Sequence, residues 1–191
     1  MIQLALFGQP VQHSLSPRIH RLFAEQAGLQ IDYQAIDTGP GMLGGALKRF
    51  AQSGGTACNI TVPLKREARA LAASCSEQVM LAGAANTLTL ADGQWQADST
   101  DGPGLLMDLA RQGVTVADQR VALLGAGGAA ASVLASLLAA GPASVDLFNR
   151  TGPRALKMAQ RHQHLVLTTG RDMASLSGAG PFDLHHCLQP E

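Results

Sequence analysis

Short apolar runs alternate along the chain with longer segments in which apolar residues recur every three or four positions. The short runs are typical of buried strands and the longer segments of helices, so their alternation favours an α/β fold. Ser16 and Pro17 suit the cap and first position of a helix, Gly28 a helix end, and Asp92-Gly93 the turn of a hairpin. The predicted strands are residues 2–7, 32–36, 57–61, 88–90, 95–97, 120–124 and 144–148, and the predicted helices are 16–28, 41–52, 102–112, 129–140 and one opening at Pro63.

The second half of the chain contains a strand–helix–strand unit around a glycine-rich loop. Strand 120–124 runs directly into Gly125-Ala126-Gly127-Gly128-Ala129-Ala130, and an alanine- and leucine-rich helix and another strand follow. This arrangement is typical of a mononucleotide-binding βαβ unit. We therefore predict a first α/β domain over residues 1–101, a linking helix and loop over 102–119, and a partial Rossmann-type domain over 120–191.

Composition and charge exclude several classes of protein. Apolar residues make up 46% of the chain and charged residues 15%, which is enough for a sizeable core and argues against disorder. Lys and Arg number 14, as do Asp and Glu, so the balanced charge argues against a nucleic-acid partner. No apolar run reaches membrane-spanning length, and no signal peptide is apparent, so we expect a cytoplasmic protein without a membrane partner.

The cysteines and histidines show neither a disulfide framework nor a metal site. The chain has 3 cysteines, an odd number without regular spacing, which favours free thiols in a reducing compartment. His185, His186 and Cys187 are adjacent, and neighbouring residues cannot easily converge on one metal. We therefore expect no metal ion. The sequence leaves the oligomeric state open.

The glycine loop fits the pattern G-x-G-x-x-A between a strand and a helix. The first glycine permits a sharp turn, the second lets the backbone approach a pyrophosphate at the helix start, and Ala130 lets the helix lie close to the sheet. The next strand ends at Asn149-Arg150-Thr151, where NAD-binding proteins usually place a carboxylate. Arg150 and Arg154 are instead suited to a 2′-phosphate, so we predict NADP as the cofactor. The alternative is an ordinary turn followed by two surface arginines.

The first half of the chain offers polar groups in alternating pairs. Ser14 and Ser16 alternate beside a predicted helix start, a favourable place for a carboxylate, although Ser16 by itself is better explained as a helix cap. Asn59 and Thr61 alternate at the end of a predicted strand. Lys65 follows in the first turn of a helix, where a cation opposes the dipole and suits proton transfer. Taken singly, Asn86 and Asp101 are typical turn or cap residues.

Together these segments resemble those of the shikimate dehydrogenases in order and spacing. The resemblance spans residues 1 to about 184 and rests on H-S-L-S-P, N-I-T-V-P-L-K, G-A-A-N-T, S-T-D-G, G-A-G-G-A and N-R-T. It implies NADP-dependent, reversible reduction of 3-dehydroshikimate to shikimate, a step of chorismate and aromatic amino-acid biosynthesis. Two departures are small: Ser99 stands where the family usually has Asn, and Cys58 replaces a smaller residue.

The resemblance also assigns roles to individual residues. It implies that Lys65 and Asp101 form the acid–base pair, and that Glu77 occupies a position associated with the cofactor. The residues implied to hold the hydroxyls and carboxylate of shikimate are Ser14, Ser16, Asn59, Thr61, Asn86 and Asp101. The implied cofactor-binding residues are Gly125, Ala126, Gly127, Gly128, Ala129, Ala130, Asn149, Arg150, Thr151 and Arg154.

The end of the chain departs from the family pattern. After Phe182-Asp183-Leu184 the family continues with an apolar strand near I-I-N-A-T and several tens of further residues, which include a Tyr and a Gln substrate ligand. Here polar residues stand in place of that strand, so we expect an incomplete dinucleotide domain with an uncovered edge. We hypothesise a frameshift near His185, because codons for His-His-Cys read one base later can encode Ile-Ile; the coding sequence tests it.

Two alternatives to full dehydrogenase activity follow from this departure and from the resemblance. The expected activity of the 191-residue chain is weak or absent. One alternative is therefore a remnant that binds a shikimate-like ligand or a partner without turnover. The other is an enzyme of quinate or another cyclic polyol.

Overall fold

The computed structural model describes residues 1–160, 167–179 and 181–187. The chain divides into two compact units, Met1–Ser99 and Thr100–Glu191. Each unit has its own β-sheet. In the described part of the chain, no helix combines the length and the apolarity needed to cross a membrane.

The first unit is built on a six-stranded mixed sheet with the order β2-β1-β3-β5-β6-β4. Strands β1, β2 and β3 are parallel, β5 runs antiparallel to β3 and β6, and β4 is parallel to β6. The strands are β1 (Ile2–Gly8), β2 (Ile31–Asp37), β3 (Gly55–Ile60), β4 (Ser74–Cys75), β5 (Thr87–Ala91) and β6 (Gln94–Asp98). The helices are α1 (Ser16–Gln26), α2 (Leu43–Gln52), α3 (Lys65–Leu71) and α4 (Glu77–Ala82).

The main core of this unit lies between the sheet and its helices. Phe7 and Phe50 meet edge to face with ring centroids 5.6 Å apart, a favoured aromatic geometry. Leu47, Ile60 and Leu88 are buried in the same cluster. These apolar positions recur with the helical and strand periods of the sequence, which explains why the elements form where they do.

The second unit contains a parallel sheet with the order β10-β7-β8-β9. Its strands are β7 (Arg120–Leu124), β8 (Ser144–Asn149), β9 (Leu167–Asp172) and β10 (Leu184–Cys187). Its helices are α5 (Asp101–Arg111), α6 (Gly128–Ala139), α7 (Gly152–Gln160) and a 3-10 helix, Met173–Gly178. The predicted fold class, an α/β domain followed by a partial Rossmann-type domain, is confirmed.

The predicted hairpin is confirmed, and both of its central residues, Asp92 and Gly93, have positive φ angles. The prediction that Ser16 is the N-cap of α1 is wrong. Leu15 is the N-cap of α1 and Ser16 is the first helical residue, without a capping side-chain bond. The short elements β4 and α4 were not predicted, because so few residues show no clear period. The helix that we predicted as a link between two domains is α5, and it belongs to the second unit.

The expectation that polar residues replace the strand after Asp183 is also wrong. Residues Leu184–Cys187 form β10, which pairs in parallel with β7. The segment before it is anchored to Arg120, whose backbone N–H donates to the Asp183 carboxylate at 2.8 Å and whose guanidinium lies over the Phe182 ring, 5.4 Å from its centroid. Strand pairing uses main-chain groups, and polar side chains are common on an edge strand, so this sequence is compatible with the strand.

Candidate active site

Six of the predicted site residues lie where strands of the first sheet end or begin, and we call this end of the strands the first edge. At this edge β1 and β3 end and the antiparallel β5 begins. Main-chain bonds hold the edge together: Thr61 donates to the Phe7 carbonyl at 2.9 Å, and Ile60 donates to that of Asn86 at 2.7 Å. The six residues are Ser14, Ser16, Asn59, Thr61, Lys65 and Asn86.

Ser14 and Ser16 form a hydrogen-bonded pair at the start of α1. The Ser14 hydroxyl accepts a bond from the Ser16 backbone N–H at 3.2 Å and donates to the Ser16 hydroxyl at 3.1 Å. Both residues are half-buried. Alternation in the sequence therefore does bring the two hydroxyls to the same place, beside the first turn of a helix.

Tyr33 links this pair to Asn59 and was not predicted as a site residue. Its hydroxyl donates to Asn59 Oδ1 at 2.8 Å and is hydrogen-bonded by Ser16. Burial is the main cause that raises the pKa of Tyr33 well above its usual range; the bond from Ser16 opposes that shift and the nearby Cys58 adds to it. The one signal in the sequence is that this is the single tyrosine of the chain.

His20 supports the Tyr33 ring from the side of α1. The two rings stack with centroids 4.4 Å apart at 26°. His20 Nδ1 lies 2.9 Å from the Ser16 carbonyl, which can only accept, so Nδ1 carries a proton in this bond. His20, Ser16 and Tyr33 thus fix one another's positions.

Lys65 is the first residue of α3 and is only 8% exposed. Its carbonyl accepts a bond from Ala85 N–H at 2.9 Å. Two residues further on, the Glu67 carboxylate accepts from the N–H groups of Gly41 at 2.8 Å and Leu43 at 3.0 Å, which ties α3 to the start of α2. The backbone that carries the lysine is therefore held on two sides.

Asn86 and Glu77 occupy different parts of the same sheet edge. Asn86 lies just before β5, where its N–H donates to the Asp98 carbonyl at 3.2 Å and its Oδ1 accepts from the Thr87 hydroxyl at 2.8 Å. Glu77 begins α4, next to the cap Ser76, and is exposed. Ser76 donates to the Asp98 carboxylate at 2.7 Å, which fixes the start of α4 to the end of β6.

The glycine loop of the second unit lies beside the end of β8. Gly125 has a φ of 125°, which disfavours a side chain, and its N–H donates to the Phe148 carbonyl at 2.7 Å. The N-cap of α6 is Gly127, in an extended conformation and without a capping side chain. Ala130, in the first turn, is 1% exposed. The small residues predicted for a close helix–sheet approach are thus in the places which that approach requires.

Arg150 and Arg154 are both exposed at the start of α7. Arg154 N–H donates to the Thr151 carbonyl at 3.0 Å, and Asn149 Nδ2 donates to the same oxygen at 3.0 Å. The bond from Gly125 to Phe148 places this turn beside the glycine loop. The start of α6, whose N–H groups suit an anion, and the two arginines therefore lie at the same end of strands β7 and β8.

Asp101 begins α5 in the second unit, after the N-cap Thr100. The next residue, Gly102, is buried where α5 crosses α6: a Cβ at this position would collide with the Ser136 side chain and lie 2.8 Å from the Ser132 carbonyl. The place of Asp101 at the helix start is thus set by the close packing of α5 on α6.

Two family models match the chain. The model of the shikimate dehydrogenase substrate binding domain matches residues 6–88, and that of shikimate / quinate 5-dehydrogenase matches residues 108–176. The shikimate dehydrogenase (NADP(+)) of Aeromonas salmonicida (strain A449) is 42% identical over 185 residues, which cover 96% of this chain and 67% of that protein. The chain belongs to the shikimate dehydrogenase family.

Further members of the shikimate dehydrogenase family are similar in sequence and in structure. The NADP(+) enzyme of Xanthomonas euvesicatoria pv. vesicatoria (strain 85-10) is 48% identical over 181 residues, which are 94% of this chain and 64% of that protein. The Thermus thermophilus enzyme, solved with NADP(H) and shikimate, superposes with a TM-score of 0.81 at 36% identity, over 88% of this chain and 63% of that one. The chain thus spans less than two thirds of the length of these relatives.

The two family models match segments that contain different candidate residues. The substrate-domain match contains Ser14, Lys65 and the other four residues of the first edge, and also Glu77. The second match contains the glycine loop and the two arginines. Asp101 lies between the two matched segments, so its assignment rests on the S-T-D-G motif alone.

The second unit has the chemistry that a dinucleotide with a 2′-phosphate needs. The loop from Gly125 to Gly127 is free of side chains that would block a pyrophosphate, apart from the methyl group of Ala126, which is 6% exposed. Arg150 supplies positive charge where a carboxylate would repel the phosphate. The residues present therefore fit such a cofactor.

Proposed function

We propose that this chain binds shikimate at the first edge, in its first unit, and NADP at the glycine loop of its second unit. We also propose that it catalyses the reversible reduction of 3-dehydroshikimate. The observation that carries the proposal is the network in which Ser14, Ser16, Tyr33 and Asn59 are joined by hydrogen bonds. The buried Lys65 is held near the same strand ends, because its carbonyl accepts from the N–H of Ala85. Partly buried polar networks of this kind pre-organise donors for a polar ligand.

Each member of the edge has a proposed part. The hydroxyls of Ser14 and Ser16 bind the carboxylate of the substrate, since two adjacent donors beside a helix start suit an anion. Asn59, Thr61 and Asn86 bind ring hydroxyls. In this scheme Tyr33 does not contact the substrate; its hydroxyl holds Asn59 and Ser16 in place.

Lys65 is proposed to move the proton. Its ammonium group donates a proton from Nζ to the oxygen of the substrate carbonyl during reduction and takes it back during oxidation. NADPH, when bound, supplies the hydride for the carbonyl carbon. Asp101 is proposed to orient Lys65 and to stabilise its charge; this part rests on the motif.

The proposed cofactor residues act by binding and orientation. The glycine loop and the start of α6 would hold the pyrophosphate, with Ala130 permitting the close approach. Arg150 and Arg154 would hold the 2′-phosphate, with Asn149 and Thr151 shaping the turn between them. Glu77 is kept as a weaker candidate on the cofactor side.

The test combines binding and turnover on the 191-residue chain. We expect calorimetry to show shikimate binding, and NADPH absorbance to appear slowly when shikimate and NADP⁺ are added, since weak turnover is what the sequence predicts. Lys65→Ala should lower the rate by about 100-fold or more, whereas Lys48→Ala, an exposed lysine of α2, should not. Absence of shikimate binding to a folded chain would contradict the proposal.

A second proposal is ligand binding without turnover, because the hydrogen-bonded network that supports shikimate binding lies within the first unit by itself. Shikimate binding with no NADPH formation, at any NADP⁺ concentration that saturates the second unit, would favour it. Quinate is tested in the same way, because the matched family model names both acids. A ratio of rates for the two acids then assigns the substrate.

A further inference from the structure

Gly8 is the last residue of β1 and is buried at the first edge. Its carbonyl accepts a hydrogen bond from the Thr38 N–H at 2.8 Å, just after the end of β2. On the other side, the Gln9 N–H donates to the Val62 carbonyl at 2.9 Å, beyond the end of β3. Main-chain bonds thus hold this part of β1 from both sides, so the backbone at Gly8 cannot move away from its neighbours without breaking one of them.

The side chain of Thr61 fills the space that a side chain at Gly8 would need. A Cβ on Gly8 would collide with the methyl carbon Cγ2 of Thr61. It would also lie 2.9 Å from the Val62 carbonyl oxygen and 3.1 Å from Val11 Cγ1. Real Cβ atoms essentially never come closer than 3.0 Å to such atoms. A glycine is therefore required at this position by the close approach of Thr61 and the residue after it.

The contact with Gly8 determines which way the Thr61 hydroxyl points. The backbone of Thr61 is fixed, because its N–H donates to the Phe7 carbonyl at 2.9 Å and its carbonyl accepts from the Leu64 N–H at 2.9 Å. The threonine side chain turns about a single bond between staggered positions, so the position of the methyl group fixes that of the hydroxyl. With its methyl group against Gly8, the half-buried Thr61 holds its hydroxyl in one direction.

We propose that Gly8 is a positioning residue for ligand specificity, which takes up the methyl group of Thr61 and thereby aims the Thr61 hydroxyl at a ring hydroxyl of the ligand. Gly8 acts through Thr61 and does not itself touch the ligand. The inference rests on the proposed function, in which Thr61 binds a ring hydroxyl of shikimate. A site built to pair a hydroxyl loses affinity when that hydrogen bond cannot form, because its own polar group is then left without a partner.

Calorimetry of shikimate binding by paired variants tests this proposal. Gly8→Ala should raise the dissociation constant about tenfold, as the loss of one hydrogen bond does. Gly8→Ala/Thr61→Ser lacks the colliding methyl group and keeps the hydroxyl, so it should bind at least about threefold more tightly than Gly8→Ala. Gly8→Ala/Thr61→Val keeps a carbon at Cγ2 and lacks the hydroxyl, so it should recover nothing. Both double variants retain the contact with the Val62 carbonyl, so their difference isolates the Thr61 side chain.

Gly45→Ala is the matched control in the same unit. It lies in α2, where the added carbon meets only the end of the Arg49 side chain at 3.4 Å, so it should bind shikimate like the native chain. The affinity of Thr61→Ser alone gives the upper limit of the recovery. Circular dichroism of each variant separates loss of binding from loss of fold. Native affinity of Gly8→Ala, or equal recovery by the two double variants, would overturn the proposal.

The orientation of Thr61 is also measurable without a ligand. Three-bond NMR couplings from Cγ2 to the backbone nitrogen and carbonyl carbon of Thr61 should show one rotamer in the native chain and in Gly45→Ala, and a changed or averaged rotamer in Gly8→Ala. Averaged couplings in the native chain would overturn the proposal even if shikimate binds. A native chain with one fixed rotamer that binds no shikimate would instead overturn the proposed function, and with it the ligand that Thr61 is assigned.

Discussion

Tyr33 joins side chains that are far apart in the sequence. Its hydroxyl reaches Asn59 at 2.8 Å and is bonded by Ser16, while its ring stacks on His20. The motifs that contain the serines and the asparagine are recognisable locally, but nothing near Tyr33 marks it. Its role becomes visible only when β2 and β3 are placed on either side of β1.

Replacing Tyr33 by phenylalanine should weaken shikimate binding without unfolding the chain. The ring and its stacking on His20 remain, but Asn59 and Ser16 lose the hydroxyl that orients them. One lost hydrogen bond of this kind predicts a dissociation constant about tenfold higher by calorimetry. Thr56→Val removes a hydroxyl bonded to Gln3 at the opposite end of β3 and should leave the affinity unchanged. Unaltered binding by Tyr33→Phe would refute the positioning role.

The buried thiol of Cys58 should lower the free energy of unfolding of this chain in alkali. Burial raises the pKa of this thiol from 9.0 to about 12. Well below pH 9.0 both the folded and the unfolded chain keep the proton, so the contribution to stability is complete. Between these values the unfolded chain releases its proton first, and the free energy of unfolding therefore falls as pH rises.

The measurement is urea unfolding at several pH values from about 9 to about 11. The thiol alone accounts for a slope of up to about 1.4 kcal/mol per pH unit in this window. Cys58→Ala should be less stable at neutral pH, because it leaves a small cavity, yet its stability should fall less steeply in alkali. Equal slopes for the two proteins would show that Cys58 does not titrate in this way.

At the scale of elements, α5 and α6 depend on a close approach at Gly102. The first turn of α5 also carries Asp101, so the packing that places this turn concerns the candidate site as well. The sequence predicted both helices and the Ala-rich character of α6. It did not indicate that Gly102, rather than Gly104, is the contact point, because the two glycines are alike in local sequence and differ only in what lies opposite them.

The two glycines provide a matched test. Gly102→Ala should destabilise the chain by about 1 to 3 kcal/mol, since the added carbon collides with Ser136 and crowds the Ser132 carbonyl. Gly104→Ala meets no atom within 4 Å and should be neutral or stabilising, by up to about 1 kcal/mol, because alanine favours the helix. Urea unfolding measures both. Equal effects would mean that the helices do not pack closely at this glycine.

At the scale of the whole molecule, the two units are expected to respond to different ligands. The proposed shikimate residues other than Asp101 fall in the first unit, and the glycine loop and arginines fall in the second. Hydrogen exchange should therefore show that shikimate protects amides near residues 59–65 and 86, while NADP⁺ protects those near 125–130 and 150. Protection of the glycine loop by shikimate alone would contradict this assignment.

Local sequence determined much of this protein. Alternating apolar periods predicted most strands and helices, and the glycine loop between a strand and a helix predicted a Rossmann-type unit, because these signals depend on neighbours a few residues apart. The motifs also predicted which polar residues gather at the first sheet edge. The polar sequence of β10 led to the wrong prediction that the strand is replaced. Pairing with β7 is made by the backbone and does not require apolar side chains.

Only the tertiary structure decided how those elements use their side chains. The order β2-β1-β3 places Tyr33 opposite Leu4 and Asn59 opposite Leu6, so the two polar groups meet across β1. It also turned His20 inward and left Leu22 outward on the same helix. Contacts between residues distant in the chain depend on strand order and packing, and no local period encodes either.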